Sequence, residues 1–198
     1  MTLSPKARES LLGLVRRSLA ESAARLSAIS KTSWDVPSLE VSTGSAEEGL
    51  SLPAGKDGGS HYGVYFIIPG GVFLVLYPQE SGAAVAHAFM SGLGSEAKAL
   101  PDLEPSALGE VSNILINTVS SAIGDACGML VFLSAPEVRK GDRTELSHSA
   151  FDRLVVREDP SVVVGRAEMA SPDLPGRCSV FFALNSAMAG QLAGALEG

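Results

Sequence analysis

Residues 61–78 read HYGVYFIIPGGVFLVLYP. Two runs of β-branched and aromatic residues flank Pro69-Gly70-Gly71, a pattern that predicts two strands joined by a tight turn. The glycines there invite comparison with a phosphate-cradling loop. The Lys-Ser/Thr ending and the following helix of a P-loop are missing, so a hairpin is the reading. Near the other end of the chain a second pair of runs, SVVVGRAEM and CSVFFAL, brackets the turn SPDLPGR. Two apolar hairpins in one chain point to a sheet that other elements have to cover.

The covering elements are helical. From Pro5 to Ile29, Leu12, Val15, Leu19, Ser22, Leu26 and Ile29 recur at steps of three and four, with Lys6, Arg8, Arg16, Arg17 and Arg25 among them, which predicts an amphipathic helix. A short strand is expected after Pro37 and a helix from about Ser81 to Met90. A long helix follows from about Pro105 to Gly128, and a closing helix runs through Gln191. The stretch Ser42–Ser60, rich in Gly, Ser and charge, reads as a loop or loose hairpin. The mixed-sign stretch Arg139–Asp159 reads as a solvated face.

Helix, strand, hairpin and helix thus occur twice. Sliding the second half back by 99 positions pairs Pro136 with Pro37 and overlays the two long helices, and the closing segments align at an offset of 106. The expected fold is α/β, with two pseudo-symmetric halves sharing a mostly antiparallel sheet on which long helices pack. The 198 residues, 45% of them hydrophobic, suffice for one substantial core. A single domain, 1–198, is expected, made of repeats 1–99 and 100–198.

The net charge of −7 excludes binding that rests on clustered Lys and Arg, so nucleic acid is not an expected partner. Cys127 and Cys178 lack metal-type spacing and read as reduced core residues, and His61, His87 and His148 show no ligand spacing. No run has signal-peptide character or approaches the roughly 20 apolar residues of a membrane span. The expectation is a cytoplasmic protein without membrane insertion.

The residues that bear chemistry sit on the long helix, SALGEVSNILINTVSSAIGDACG from Ser106. At about 100° per residue, Ser106, Glu110, Asn113, Asn117, Ser120, Ser121 and Gly124 share one arc. The rest of the wheel is mostly apolar, which predicts a largely buried helix with one wet stripe. At the 99-residue offset Ser106, Glu110 and Asn113 fall on Ala7, Leu11 and Leu14, so the stripe is expected in one copy only.

The spacing Ser106, three residues, Glu110, two residues, Asn113, twenty-two residues, Pro136 resembles the signature of the CheC, CheX and FliY phosphatases. The run EVSNIL is similar to their Glu-Val/Ile-Gly-Asn-Ile, with Ser112 where Gly is common. The resemblance implies two pseudo-symmetric α/β halves, the first carrying a degenerate site. It also implies dephosphorylation of the aspartyl phosphate of a CheY-like response regulator.

In that chemistry the regulator supplies Mg2+ and a lysine, and the phosphatase needs no cofactor or metal of its own. An amide offers both acceptor and donor, so Asn113 suits holding the attacking water, whereas a carboxylate would be repelled by the phosphoryl oxygens. By resemblance Glu110 pairs with the regulator's lysine. Ser106 either positions Glu110 or starts the helix after Pro105, Asn117 is a supporting or partner contact, and Pro136 shapes the entry to a strand. A CheD-like protein is a further candidate partner, and a homodimer through Leu11 and Leu14 a candidate assembly. The competing reading is a non-catalytic interaction module of a signalling complex, which has no need of the Glu110–Asn113 pair.

Overall fold

The computed structural model describes residues 3–45, 59–93, 103–154 and 161–197. In chain order the elements are α1 (Pro5–Ser30), β1 (Asp35–Ser45), β2 (Ser60–Ile68), β3 (Gly71–Pro78), α2 (Gln79–Gly92) and α3 (Leu103–Ala126). They continue with β4 (Glu137–Asp142), α4 (Arg143–Asp152), β5 (Ser161–Ala170), β6 (Arg177–Asn185) and α5 (Ser186–Glu197). The six strands form one antiparallel sheet in the order β1-β5-β6-β3-β2-β4. The two hairpins meet at its centre, where β3 pairs β6 in a ladder that includes Val75 opposite Val180. Each single strand crosses over: β1 lies against β5, and β4 against β2.

Alternation along the strands decides what covers each face. Val64, Phe66, Phe73, Val75, Tyr77, Val180, Phe182 and Leu184 point to one side, into a core shared with α1, α2, α3 and α5. Tyr65, Val72, Leu74, Leu76, Val162, Val164, Phe181 and Ala183 point to the other, against Leu146 and Ala150 of α4. The hairpin runs are apolar throughout because both sheet faces are covered. The β2–β3 turn needs Gly70, whose φ of +77° follows Pro69 as in a type II turn. Gly165 is required by packing: a Cβ there would lie 2.0 Å from the Phe182 ring.

Three expectations are corrected. The mixed-sign stretch is more than a solvated face, since it contains the end of β4 and all of α4. Leu146 and Ala150, one turn apart, seat that short helix while Glu145 and Asp152 face outward, so composition concealed it. Asp142 caps it, accepting from the Glu145 amide at 2.8 Å. The strand near Pro37 begins earlier, at Asp35, and its register shifts between Asp35 and Ser38, where proline has no N–H to offer the ladder. The Ser42–Ser60 loop reading holds neither for Ser42–Ser45, which belong to β1, nor for Ser60, which opens β2. Its central part, 46–58, lies outside the described residues.

Candidate functional site

The phase of α3 is set by what it buries. Leu108, Val111, Leu115, Ile116, Val119 and Ile123 are in the core, and two polar contacts lock the rotation. Ser112 is fully buried and shares a 3.0 Å hydrogen bond with the Tyr77 hydroxyl of β3. The Ser22 hydroxyl of α1 donates to the Leu115 carbonyl at 3.2 Å. Burial pushes the Tyr77 phenol well above its ordinary pKa, so the pair stays neutral. Serine at the position where the resemblance expects glycine is therefore a tether between helix and sheet.

With that phase fixed, Ser106, Glu110, Asn117, Ser121 and Asp125 are exposed, and Asn113 is half-buried among them. Glu110 and Asn113 stand one turn apart on this stripe. Among the described residues Glu110 has no hydrogen-bond or ion-pair partner. The Asn113 Oδ1 accepts from Asn117 Nδ2 at 3.2 Å. Pro136 lies behind the stripe: a Cβ on Gly109 would sit 3.5 Å from its Cγ, so the proline that leads into β4 faces the residue before Glu110. The structure thus brings Ser106, Glu110, Asn113 and Asn117 onto one face and puts Pro136 against the same helical turn.

Three details differ from expectation. Ser120 and Gly124 are buried rather than on the stripe. The Ser120 hydroxyl donates to the Asn117 carbonyl at 3.1 Å, and the chain after the helix turns back so closely that a Cβ on Gly124 would lie 2.8 Å from the Met129 carbonyl. Ser106 does not start the helix, which begins at Leu103. The third concerns the comparison with α1. Leu11 is 1% exposed and Ala7 is fully buried, so the 99-residue offset lays the buried face of α1 on the exposed face of α3.

A shift of 97, Leu11 onto Leu108, restores the phase. It carries Val15, Ser18, Leu19, Ser22, Ala23 and Leu26 onto buried Ser112, Leu115, Ile116, Val119, Ser120 and Ile123. In phase, the residues opposite Ser106, Glu110, Asn113 and Asn117 are Glu9, Gly13, Arg16 and Ala20. The Glu–Asn pair is still absent from α1, but Leu11 belongs to the core and Leu14 is only half-buried, so the two do not form a surface patch for a homodimer.

Around the site, the Tyr62 hydroxyl donates to Glu104 Oε2 at 3.0 Å near the start of α3; burial and that carboxylate raise the Tyr62 pKa. Among the described residues no group of three His, Cys, Asp or Glu is gathered to hold a metal ion. Cys178 is buried and Cys127 half-buried, both with free thiols whose pKa burial raises. No described helix is long and apolar enough to cross a membrane.

No protein-family model matches the chain. A Halobacterium salinarum protein, provisionally named the CheY-P phosphatase CheC1, is 28% identical over 140 residues, which are 70% of this chain and 65% of that relative. The match therefore spans just under two-thirds of the relative's length. Thermotoga maritima FliY superimposes with a TM-score of 0.71 at 18% identity, covering 100% of this chain and 98% of that one. In sequence the chain is thus similar to a protein named for CheC, and in fold to FliY. The same fold extends to the FliM middle domain from H. pylori, with a TM-score of 0.62 at 10% identity over 98% of this chain and 99% of that one.

Two features of the site were missed by reading the sequence: the Ser112–Tyr77 tether and the Asn113–Asn117 hydrogen bond. The second had a signal, because two asparagines at i and i+4 face each other on any helix. The first had none, since nothing local links position 112 to position 77.

Proposed function

We propose that the protein speeds hydrolysis of the aspartyl phosphate on a CheY-like response regulator by laying the exposed stripe of α3 against the phosphorylated site. The observation that carries this reading is the pair Glu110–Asn113 on the one wet face of a helix whose other sides are locked into the core. Asn113 Oδ1 accepts a hydrogen bond from the attacking water, leaving an oxygen lone pair aimed at phosphorus. The water oxygen bonds to phosphorus, the bond from phosphorus to the aspartyl oxygen breaks with its electron pair going to the regenerated carboxylate, and dihydrogen phosphate leaves with the water's oxygen and both of its protons. The regulator contributes its own divalent cation. Glu110, without a partner among the described residues, meets a lysine of the regulator and fixes the approach. Catalysis of this kind works by orientation and needs no base of shifted pKa.

The likeness to the relative named as a CheY-P phosphatase supports this reading. The likeness to the FliM middle domain favours a second one, a docking module that binds a regulator or a neighbouring subunit without chemistry. A CheY-like regulator, phosphorylated by a small phosphodonor in the presence of Mg2+, separates them. The phosphatase reading expects loss of phosphate at least about tenfold faster with the protein than without it. Tight binding with an unchanged decay rate overturns it in favour of the docking module. Glu110→Gln is expected to raise the regulator concentration needed for half-maximal rate more than it lowers the maximal rate.

A further inference from the structure

The two ends of an asparagine amide are nearly equal in size, so an exposed Asn on a helix turns either its oxygen or its nitrogen outward at little cost. A residue that must hold water by its oxygen needs that choice made in advance. We propose that Asn117 makes it: a positioning residue that fixes the amide of Asn113 before the partner arrives. The proposal rests on the phosphatase reading of this site.

The geometry is direct. Asn117 Nδ2 donates to Asn113 Oδ1 at 3.2 Å across one helical turn. The oxygen has two acceptor positions, so one is taken and one remains for a single water proton. Among the described residues this is the one side-chain hydrogen bond that the Asn113 amide makes. Asn117 itself is exposed. It stands at the rim of a groove of about 300 Å³ between α1 and α3, lined also by Ser18, Glu21, Arg25, Thr118 and Asp125. Among the described residues, that hydrogen bond is the polar contact that can set which end of the Asn113 amide faces outward.

In the free protein such a bond between exposed side chains biases the amide only about twofold. It strengthens when docking excludes water from the interface, where the choice of amide end matters. In phase with Asn117, α1 carries Ala20, and in phase with Asn113 it carries Arg16, so neither amide of the pair is present in the first half.

The test is a series at position 117, read as kcat and KM on the phosphorylated regulator. Asn117→Ala is expected to lower kcat about three- to tenfold with KM within about twofold of wild type. Asn117→Gln, which keeps the donor, restores most of the loss. Asn117→Asp falls below Asn117→Ala, because a carboxylate cannot donate to Oδ1 and accepts from Asn113 Nδ2 instead, turning the oxygen away. Ser121→Asp, which adds the same charge one turn further on, serves as the control and is expected to have the smaller effect on kcat.

In the free protein, the side-chain amide resonances of Asn113 should shift in Asn117→Ala and Asn117→Asp but far less in Asn117→Gln. Wild-type kcat in Asn117→Ala, or a loss confined to KM, overturns the positioning role while the phosphatase reading stands. If wild type itself does not accelerate decay, Asn113→Ala is equally flat, and both readings fail together.

Discussion

Helix α1 leads into β1 and the β2–β3 hairpin as α3 leads into β4 and, after α4, the β5–β6 hairpin, and both helices present one face to the same core. Their outward faces have diverged. On α3 the stripe is Ser106, Glu110, Asn113, Asn117, Ser121 and Asp125; on α1 the positions in phase are Glu9, Gly13, Arg16, Ala20, Ala24 and Ala28. One stripe carries paired amides beside a carboxylate with no partner among the described residues. The other carries alanines, a glycine and opposite charges. What separates a candidate site from a supporting helix is thus a handful of residues on a surface that the core does not constrain. The core constrains the opposite face, which is why Leu11 and Glu110 are not equivalent although a 99-residue repeat aligns them.

Exchanging the chemistry of those two residues is the strongest way to break this comparison. Leu11→Glu puts a carboxylate where only 1% of the residue is exposed, and is expected to destabilise the fold by about 4 kcal/mol or more in denaturant unfolding. Glu110→Leu should change stability by no more than about 0.5 kcal/mol. Equal costs at the two sites would show that the phase assignment is wrong.

The tether of α3 gives the next effect. Ser112→Ala leaves the fully buried Tyr77 hydroxyl unpaired and is expected to cost about 1–3 kcal/mol. The in-phase residue on α1, Val15, is an ordinary core residue with no hydroxyl to lose. A smaller effect has the opposite sign. Gly13→Ala, whose added carbon would meet only the flexible Arg17 guanidinium at 3.3 Å, should stabilise by about 0.5–1 kcal/mol and leave any phosphatase activity unchanged.

The smallest effect concerns the strand that begins behind α3. Glu137 accepts from Arg153 at 2.8 Å and from Arg139 at 2.6 Å, and these guanidiniums, Arg153 first, hold its carboxyl below the ordinary value. A depressed folded-state pKa stabilises above the unfolded value of about 4.3. That contribution is lost as pH falls through the folded value. The Glu137 side chain is 46% exposed, so the effect should stay under about 0.5 kcal/mol and vanish in Glu137→Gln. A pH dependence between about 5 and 3 that is identical in wild type and variant would remove Glu137 from the account.

Much of this was legible from residue order. The hairpins, the long helices and the wet stripe of α3 follow from periodicities that a single segment displays by itself. Helix α4 did not, because Leu146 and Ala150 are too few to make a pattern among charges, and its apolar ridge acquires meaning only from the sheet face it covers. The crossed pairing of β1 with β5 and β4 with β2 is likewise a long-range choice. At the candidate site, spacing singled out Glu110, Asn113 and Pro136, whereas the contact of Ser112 needed the neighbouring strand. Helical phase was the subtler error. Conserving length and one proline between repeats suggests a shift of 99, but burial, which the sequence only hints at, selects 97.

The central claim is that catalytic capacity resides on the α3 stripe and not on its counterpart. It is tested most directly by the rate of phosphate loss from a phosphorylated CheY-like regulator in Mg2+, measured with wild type, Asn113→Ala and Arg16→Ala. The account predicts acceleration by wild type, a loss of about a hundredfold in Asn113→Ala with regulator binding retained, and a rate within about twofold of wild type for Arg16→Ala. A rate in Asn113→Ala equal to that of wild type would contradict it.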